Sequence, residues 1–254
     1  MRTVRIAVCQ VVLLDGDRSG NLVRIENALD EAVTAGAEIV CFPEMALLGW
    51  VNPEAHKQAS PIPGRDSDAL CRLAKEHAVY LCIGLAEKSA GDLYDSALLI
   101  DRQGCIILKH RKMNLLGELM NPPYAAGGDV DVADTEFGRI GVLICADTHE
   151  DEILARMAAL KPDLLLVPYG YAADAEAWPE HGKELEAVVC NAAGKTGTVC
   201  VGTNLVGQIS HGPWKGRTYG GLSVIADRSG KVLATGKDRD RDIVVVEVAI
   251  RRDR

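Results

Sequence analysis

A glutamate, a lysine and a cysteine each stand just beyond an apolar stretch that is typical of a β-strand. These residues are Glu44, Lys112 and Cys145. Loops at the carboxyl edges of strands form the ligand crevice of α/β folds, so side chains that are far apart in sequence can converge there. A carboxylate, an ammonium group and a thiol are all reactive groups in enzymes. The spacing therefore predicts one site at a sheet edge, with Cys145 as its candidate nucleophile.

Cys145 differs from the other seven cysteines in the residues that follow it. Ala146, Asp147 and Thr148 are typical of a helix start, where free N–H groups and the positive end of the helix dipole favour a thiolate. The residue type alone favours a different interpretation, because a free cysteine is usually a small buried hydrophobe. From these residues alone, Cys145 stays open between a nucleophile and a core residue.

Two other kinds of site are possible in the same region, a metal site and a cysteine–histidine dyad. Cys145, Asp147 and His149 form a possible set of metal ligands, but no second cysteine or histidine pair stands at zinc-site spacing. A cysteine–histidine dyad is the other alternative, although none of the six histidines lies in a cysteine-protease context. Asp147 with Glu150 fits a capping box, which explains the acidic residues without a catalytic role. We expect no metal site here.

The bulk composition limits the class of protein. A chain of 254 residues with 48% hydrophobic and 25% charged residues predicts one α/β domain over residues 1–254. A net charge of −8 without a basic stripe argues against a nucleic-acid partner. No apolar run approaches the roughly 20 residues of a membrane-spanning helix. Eight scattered cysteines without a CxxC pair indicate a reduced, cytoplasmic protein.

The apolar pattern alternates strands with helices around the candidate residues. Strands at 4–9 and 38–42 flank a helix at 21–35, which implies a parallel strand pair. An Asp-Arg-x-Gly turn at 101–104 recurs at 227–230, and each turn predicts an antiparallel hairpin. Two similar halves, each a mixed sheet with helices outside, account for this order. Further helices are predicted at 66–77, 148–160 and 183–193, and further strands at 79–85, 164–167, 198–202 and 243–248.

Three motifs carry a family resemblance. They are Phe42-Pro43-Glu44-Met45, His110-Arg111-Lys112 and the stretch from Gly141 to Asp147. In this order and at this spacing they resemble the nitrilase superfamily of carbon–nitrogen hydrolases, over essentially the whole chain. The resemblance implies that superfamily's α/β fold, a four-layer αββα sandwich, and a homodimer or higher homo-oligomer. Nitrile-hydrolysing members typically have Trp at the position of Ala146 and a longer chain, so the amidase-like branch is favoured over the true nitrilases.

The resemblance also implies a reaction and a role for each residue. Glu44 would accept the thiol proton of Cys145, and the thiolate would attack an amide carbon. Lys112 and the Ala146 backbone N–H would stabilise the oxyanion, and ammonia would leave before water hydrolyses the thioester. Glu118, which matches a second glutamate of many members, would orient Lys112 or the substrate. Neither a metal nor an organic cofactor is implied.

The substrate is less well defined than the reaction. The run after Cys145 departs from the family pattern, and the substrate-binding residues that we expect are Ala146, Tyr124, Tyr169 and Asn204. Aromatic residues are favoured both in binding sites and in packing, so both interpretations of the tyrosines stay open. A small amide is the leading substrate. An N-carbamoyl compound and a non-catalytic, metabolite-binding role are the alternatives.

Overall fold

Strands alternate with helices along both halves of the computed structural model, which describes residues 2–117 and 119–250. The strands are Arg2–Gln10 (β1), Ile39–Cys41 (β2), Tyr80–Ser89 (β3), Asp92–Ile100 (β4), Ile106–Arg111 (β5), Val132–Thr135 (β6), Gly138–Val142 (β7), Leu164–Pro168 (β8), Ala172–Ala173 (β9), Val199–Thr203 (β10), Val206–Gln208 (β11), Thr218–Gly220 (β12), Val224–Ala226 (β13), Val232–Thr235 (β14) and Asp242–Ile250 (β15). The helices are Arg18–Thr34 (α1), Ala55–Gln58 (α2), Arg65–Glu76 (α3), Asp151–Ala159 (α4) and Glu180–Thr196 (α5).

Two six-stranded sheets share one plan. The first has the order β15-β1-β2-β3-β4-β5 and the second β14-β13-β10-β8-β7-β6. In each sheet three parallel strands are flanked by antiparallel ones: β1, β2 and β3 in the first, and β10, β8 and β7 in the second. The predicted mixed sheets and two similar halves are confirmed. A small third sheet, β11-β12-β9, was not predicted because its strands have only two or three residues.

The alternation of side chains along β1 shows how the layers stack. Ile6 and Val8 belong to the core that the two sheets bury between them, whereas Ala7 and Cys9 belong to the core beneath α1 and α3. Helices α4 and α5 cover the other face of the second sheet, where Val189 of α5 is fully buried. Side chains of a strand point alternately to its two faces, so each sheet serves two apolar layers. The predicted αββα sandwich is confirmed.

The two Asp-Arg-x-Gly turns have the same hydrogen bonds. Asp101 Oδ1 accepts from the N–H groups two and four residues later, both at 2.9 Å. Asp227 Oδ1 accepts from the equivalent N–H groups at 2.8 and 3.0 Å. This Asx-type turn fixes each hairpin locally. Both predicted hairpins, β4–β5 and β13–β14, are confirmed as antiparallel pairs.

The segment after Cys145 differs from the prediction. A short 3₁₀ helix, Cys145–His149, comes first, and α4 begins only at Asp151 after the extended residue Glu150. The Glu150 N–H donates to the Asp147 backbone carbonyl at 3.3 Å and not to its carboxylate, so the predicted capping box of these two residues was wrong. Asp147 accepts the N–H of Ile144 instead, at 3.0 Å. Its side chain therefore closes the turn around the cysteine.

Candidate active site

The structure brings Glu44, Lys112 and Cys145 together between the two sheets. Glu44 follows β2 and Lys112 follows β5 of the first sheet, while Cys145 follows β7 of the second. Lys112 Nζ lies 2.5 Å from Glu44 Oε1. Their charges act on Cys145, whose thiol accepts a hydrogen bond from the Gly170 N–H. All three reactive side chains are at most 4% exposed. They therefore meet in a nearly dry environment.

The loop that carries Glu44 is held by backbone from both sheets. The Glu44 N–H donates to the Tyr169 carbonyl at 3.3 Å, and the Gly84 N–H donates to the Pro43 carbonyl at 3.1 Å. A Cβ on Gly84 would lie 2.6 Å from Glu44 Cα, closer than van der Waals contact allows. Gly84 is therefore required for the close approach of β3 to this loop.

Lys112 faces a second carboxyl group, that of Asp95, which is not among the predicted site residues. Ser96 of β4 pairs with Arg111 of β5, and the Lys112 N–H donates to the Asp95 carbonyl at 2.8 Å. Opposed residues of an antiparallel pair share a face, and Asp95 Oδ2 lies 3.5 Å from Lys112 Nζ. The predicted hairpin contained this signal, because its register places Asp95 opposite Lys112.

Burial and charge together set the protonation of the site. Burial and the nearby Glu44 carboxylate raise the pKa of Asp95 well above its usual value. Burial opposes the charge of Lys112, but the Glu44 carboxylate raises the pKa of the lysine, which stays an ammonium group. Burial, with Glu44 second, also raises the pKa of the Cys145 thiol. The helix start in the sequence favours a thiolate, whereas burial in the structure favours the thiol form of Cys145.

The backbone of Cys145 is strained and held by its neighbours. Its φ of +41° lies in the left-handed region, which costs a non-glycine residue about 1–3 kcal/mol. Thr148 Oγ1 donates to the Cys145 carbonyl at 2.7 Å and lies 2.8 Å from the Tyr169 hydroxyl. Tyr169 is fully buried beneath this turn. In this conformation the thiol lies beside the Gly170 N–H and within reach of the Glu44 charge.

Asp147 joins the lysine segment to the cysteine turn. The carboxylate, which is fully buried, accepts four hydrogen bonds, from His110 Nε2 at 2.7 Å and from the N–H groups of Met113, Asn114 and Ile144 at 2.9, 2.8 and 3.0 Å. Burial raises the pKa of Asp147, but these hydrogen bonds, first that of His110, lower it overall. This clamp connects the two sheets at the point where Lys112 and Cys145 must be held in register.

A cavity of about 520 Å³ opens from the thiol to the surface. Trp50 and Trp214 form one wall, with their rings edge to face at 5.1 Å. Tyr171 stacks on His181 at 4.4 Å on another wall. A volume of this size fits a small organic molecule. Other residues that line the cavity include Asn114, Cys145, Ala146, His149, Glu150, Gly170, Asp174 and Arg217.

The sequence matches the family model of the carbon–nitrogen hydrolases over residues 5–252. The chain belongs to the carbon–nitrogen hydrolase family. Its relatives include a bifunctional nitrilase/nitrile hydratase of Nicotiana tabacum, 30% identical over 186 residues that cover 65% of this chain and 53% of that protein. An omega-amidase of Xenopus laevis is 32% identical over 178 residues, which cover 66% of this chain and 64% of that protein. The chain thus matches about half to two thirds of the length of these relatives.

Solved structures of an amidase share the fold. An amidase from Nesterenkonia sp. superposes with a TM-score of 0.83 at 23% identity, covering 96% of this chain and 90% of that one. A second structure of the Nesterenkonia sp. AN1 amidase shows acrylamide added to its active site cysteine; the TM-score is 0.84 at 22% identity, covering 97% of this chain and 93% of that one. The resemblance drawn from the three motifs is confirmed at the level of family and fold.

The residues expected to bind substrate occupy different places in this carbon–nitrogen hydrolase. Ala146 lines the cavity beside Cys145. Tyr124 lines a smaller adjoining cavity of about 40 Å³ together with Lys112 and Asp95. Its hydroxyl accepts the Val51 N–H at 3.2 Å. Tyr124 therefore lies next to the charged groups and not in the larger cavity that Ala146 lines.

Tyr169 and Asn204 support the cavity from behind. Tyr169 does not line it, because its ring is packed into the core and its hydroxyl contacts Thr148. Asn204 is also fully buried, and its Oδ1 accepts the Tyr171 N–H at 2.9 Å while its Nδ2 donates to the Tyr171 carbonyl at 3.1 Å. Both side chains position wall-forming segments instead of presenting a surface to a ligand.

Two further expectations concern residues beyond this set. Glu118, the second glutamate, lies outside the described residues, so its role stays a prediction. Among residues 2–117 and 119–250, no group of three or more His, Cys, Asp or Glu side chains could hold a metal ion. Cys145, Asp147 and His149 do not form one, since the Asp147 oxygens accept N–H groups. In the same ranges, no helix is long and apolar enough to span a bilayer.

Proposed function

We propose that this carbon–nitrogen hydrolase converts a small linear amide and water into a carboxylic acid and ammonia through a thioester on Cys145. The observation that carries the proposal is the contact between Lys112 and Glu44 at 2.5 Å beside a buried thiol that opens onto a cavity. The elevated pKa of Cys145 supports it, since a thiol at neutral pH requires a base in reach.

In the first half of the proposed reaction the amide is cleaved. Glu44 takes the proton of the Cys145 thiol while sulfur bonds to the amide carbon, and the carbonyl oxygen becomes an oxyanion. The Lys112 ammonium group and the Ala146 backbone N–H stabilise that charge. As the carbon–nitrogen bond breaks, protonated Glu44 gives its proton to the nitrogen, and ammonia leaves. Lys112 keeps its own proton throughout.

In the second half water replaces the sulfur. Glu44 accepts a proton from water while the hydroxide oxygen bonds to the thioester carbon, and the same two donors stabilise the second oxyanion. The carbon–sulfur bond then breaks, and Glu44 returns the proton to the Cys145 thiolate. The acid departs and the site regains its starting protonation. Glu118 is proposed to orient Lys112 or the substrate.

The type of substrate, the oligomeric state and the location of the protein are part of the same proposal. Ala146 beside the thiol leaves room in the cavity and supports an amide over a nitrile substrate. An N-carbamoyl compound presents the same carbonyl and nitrogen, so it is the alternative. A single domain, a homodimer and a cytoplasmic location are proposed with it; eight unpaired cysteines support the last. Light scattering and cell fractionation test them.

The decisive experiment replaces the nucleophile. Ammonia release is measured over simple amides, ω-amides, N-carbamoyl amino acids and nitriles, for the wild type and for Cys145→Ala. We expect loss of all turnover in the variant, and an acyl adduct on the wild-type Cys145 by mass spectrometry. Cys105→Ala is the matched control, because Cys105 is exposed and lies outside the site. Turnover retained by Cys145→Ala contradicts the proposal. Binding of an amide by the wild type without ammonia release favours the metabolite-binding alternative.

A further inference from the structure

Asp95 is a second acidic group inside a site that holds one nearby ammonium group. Its side chain is 1% exposed, and it stands opposite Lys112 on the neighbouring strand. Lys112 Nζ is engaged with Glu44 Oε1 at 2.5 Å and is 3.5 Å from Asp95 Oδ2. Lys112 therefore contacts both carboxyl groups, and its contact with Asp95 is the longer and weaker of the two.

The oxygens that remain have no donor of their own. Within residues 2–117 and 119–250, neither oxygen of Asp95 accepts a hydrogen bond, and neither does Glu44 Oε2. The two side chains are nevertheless within hydrogen-bonding contact of each other. The carboxyl oxygens of Asp95 and Glu44 Oε2 lack a donor because the two side chains face each other and both are acceptors when ionised. An ionised carboxylate that is buried without a partner is costly, whereas one proton between the two groups satisfies both.

We propose that Asp95 carries a proton in the resting enzyme and donates it in a hydrogen bond to Glu44, which stays ionised between Asp95 and Lys112. Asp95 is then a positioning residue that acts through Glu44. The statement about the proton concerns the resting site alone. Its catalytic consequence rests on the proposed function of Glu44 as the base.

The surroundings of Asp95 favour the protonated form. The ionisable groups that face it are Glu44, Lys112, Cys145, Asp147 and Tyr124. Burial and the Glu44 carboxylate raise the pKa of Asp95, and the Lys112 ammonium group opposes them without reversing the direction. Two carboxyl groups in one dry site cannot readily both carry a negative charge, so we expect Asp95 to keep its proton at neutral pH.

The shared proton keeps the site neutral before reaction. When Cys145 gives its proton to Glu44, the Asp95 proton stays on Asp95, and no proton is gained or lost by the group. If Asp95 were ionised, the site would carry one net negative charge beside Lys112. That charge would oppose both the thiolate and the oxyanion. We therefore expect activity to fall at alkaline pH as the shared proton is lost.

The first test compares pH profiles of kcat/KM for the wild type, Asp95→Asn and Asp95→Leu. The amide of Asp95→Asn supplies a permanent N–H donor to Glu44, so activity near neutrality is retained and the alkaline limb moves up by about one pH unit or more. Asp95→Leu removes the donor, and kcat falls about a hundredfold at every pH. The proposal is overturned if the alkaline limb of Asp95→Asn is unchanged. It is also overturned if kcat falls as far in Asp95→Asn as in Asp95→Leu.

The second test needs no turnover. Infrared spectra in H₂O and D₂O are compared for the wild type, Asp95→Asn and Glu87→Gln. The carbonyl stretch of a buried protonated carboxyl group is expected in the wild type and in Glu87→Gln and not in Asp95→Asn. A wild-type spectrum without this band overturns the proposal. If the band is present but no amide is hydrolysed, the proposed function fails and the protonation of Asp95 stands.

Discussion

Two clusters of carboxyl groups lie on opposite faces of strands β3, β4 and β5, and they differ in the number of cations that each contains. On one face Glu87 accepts from Lys109 at 2.7 Å, from Arg111 at 2.7 and 2.8 Å, and from the Ser96 hydroxyl at 2.7 Å. On the other face Glu44 and Asp95 share Lys112. The first cluster has two cations for one carboxylate, whereas the second has one cation for two carboxyl groups.

The difference follows from strand alternation and from burial. Asp95 and Ser96 are consecutive, as are Arg111 and Lys112, so each pair sends its side chains to opposite faces. Burial raises the pKa of Glu87, but the Arg111 and Lys109 hydrogen bonds bring it down to about 2. A carboxylate with enough cationic partners, such as Glu87, contributes stability, whereas two carboxyl groups that share one cation have perturbed pKa values of the kind found at functional sites.

The largest expected effect comes from removing the cation of the second cluster. Lys112→Met leaves two carboxyl groups without an ammonium partner and removes an oxyanion donor, so kcat/KM for the amide falls about a thousandfold. Steady-state ammonia release measures it. Lys109→Met is the matched control, because Glu87 keeps Arg111 and Ser96 and the site keeps its lysine. Equal losses in the two variants would refute the contrast between the two faces.

A smaller effect is expected from disturbing the loop geometry alone. In Gly84→Ala the new Cβ would lie 2.6 Å from Glu44 Cα and 2.8 Å from the Met45 nitrogen, so the Glu44 loop must move. A displacement of about 1 Å at a reacting group costs about a hundredfold in kcat. Gly128→Ala serves as control, since a Cβ there meets nothing within 4 Å. Full activity of Gly84→Ala would show that the position of Glu44 tolerates the shift.

The smallest effect on activity is expected from a substitution at Glu87, which should instead lower the stability of the fold. Glu87→Gln loses charge-assisted hydrogen bonds and lowers the free energy of unfolding by about 1–3 kcal/mol near neutral pH. The pKa of Glu87 is about 2 when folded, against 4.5 for an unperturbed glutamate. Its contribution is therefore complete above pH 4.5 and is lost as the pH falls towards 2. Denaturant titrations of both proteins from neutral to acid pH measure it.

The contrary result at Glu87 is also informative. A stability difference that is constant with pH would mean that the ion pairs to Lys109 and Arg111 do not shift the titration of the carboxyl. A loss of amide hydrolysis in Glu87→Gln, with the fold intact by circular dichroism, would mean that the two faces of the strands are coupled.

Local sequence determined a large part of this molecule. Asp101 and Asp227 fix their hairpins through bonds that span at most four residues, so those turns were predictable. Apolar runs of adequate length predicted most of the longer strands and helices, and the positions of Glu44, Lys112 and Cys145 at strand ends followed from the same pattern. The predicted α4 start was wrong because Asp147 bonds to a remote segment, which no local signal reveals.

Only the tertiary structure decided the state of the reactive groups. The Lys112–Glu44 contact joins residues 68 positions apart, and the His110–Asp147 contact joins residues 37 apart. The sequence predicted a reactive cysteine, and burial together with the Glu44 charge raises the pKa of its thiol. Desolvation and charge depend on which distant atoms surround a group, whereas turns and periodicity depend on near neighbours. The sequence therefore predicted the candidate site residues, and packing set the directions in which their pKa values shift.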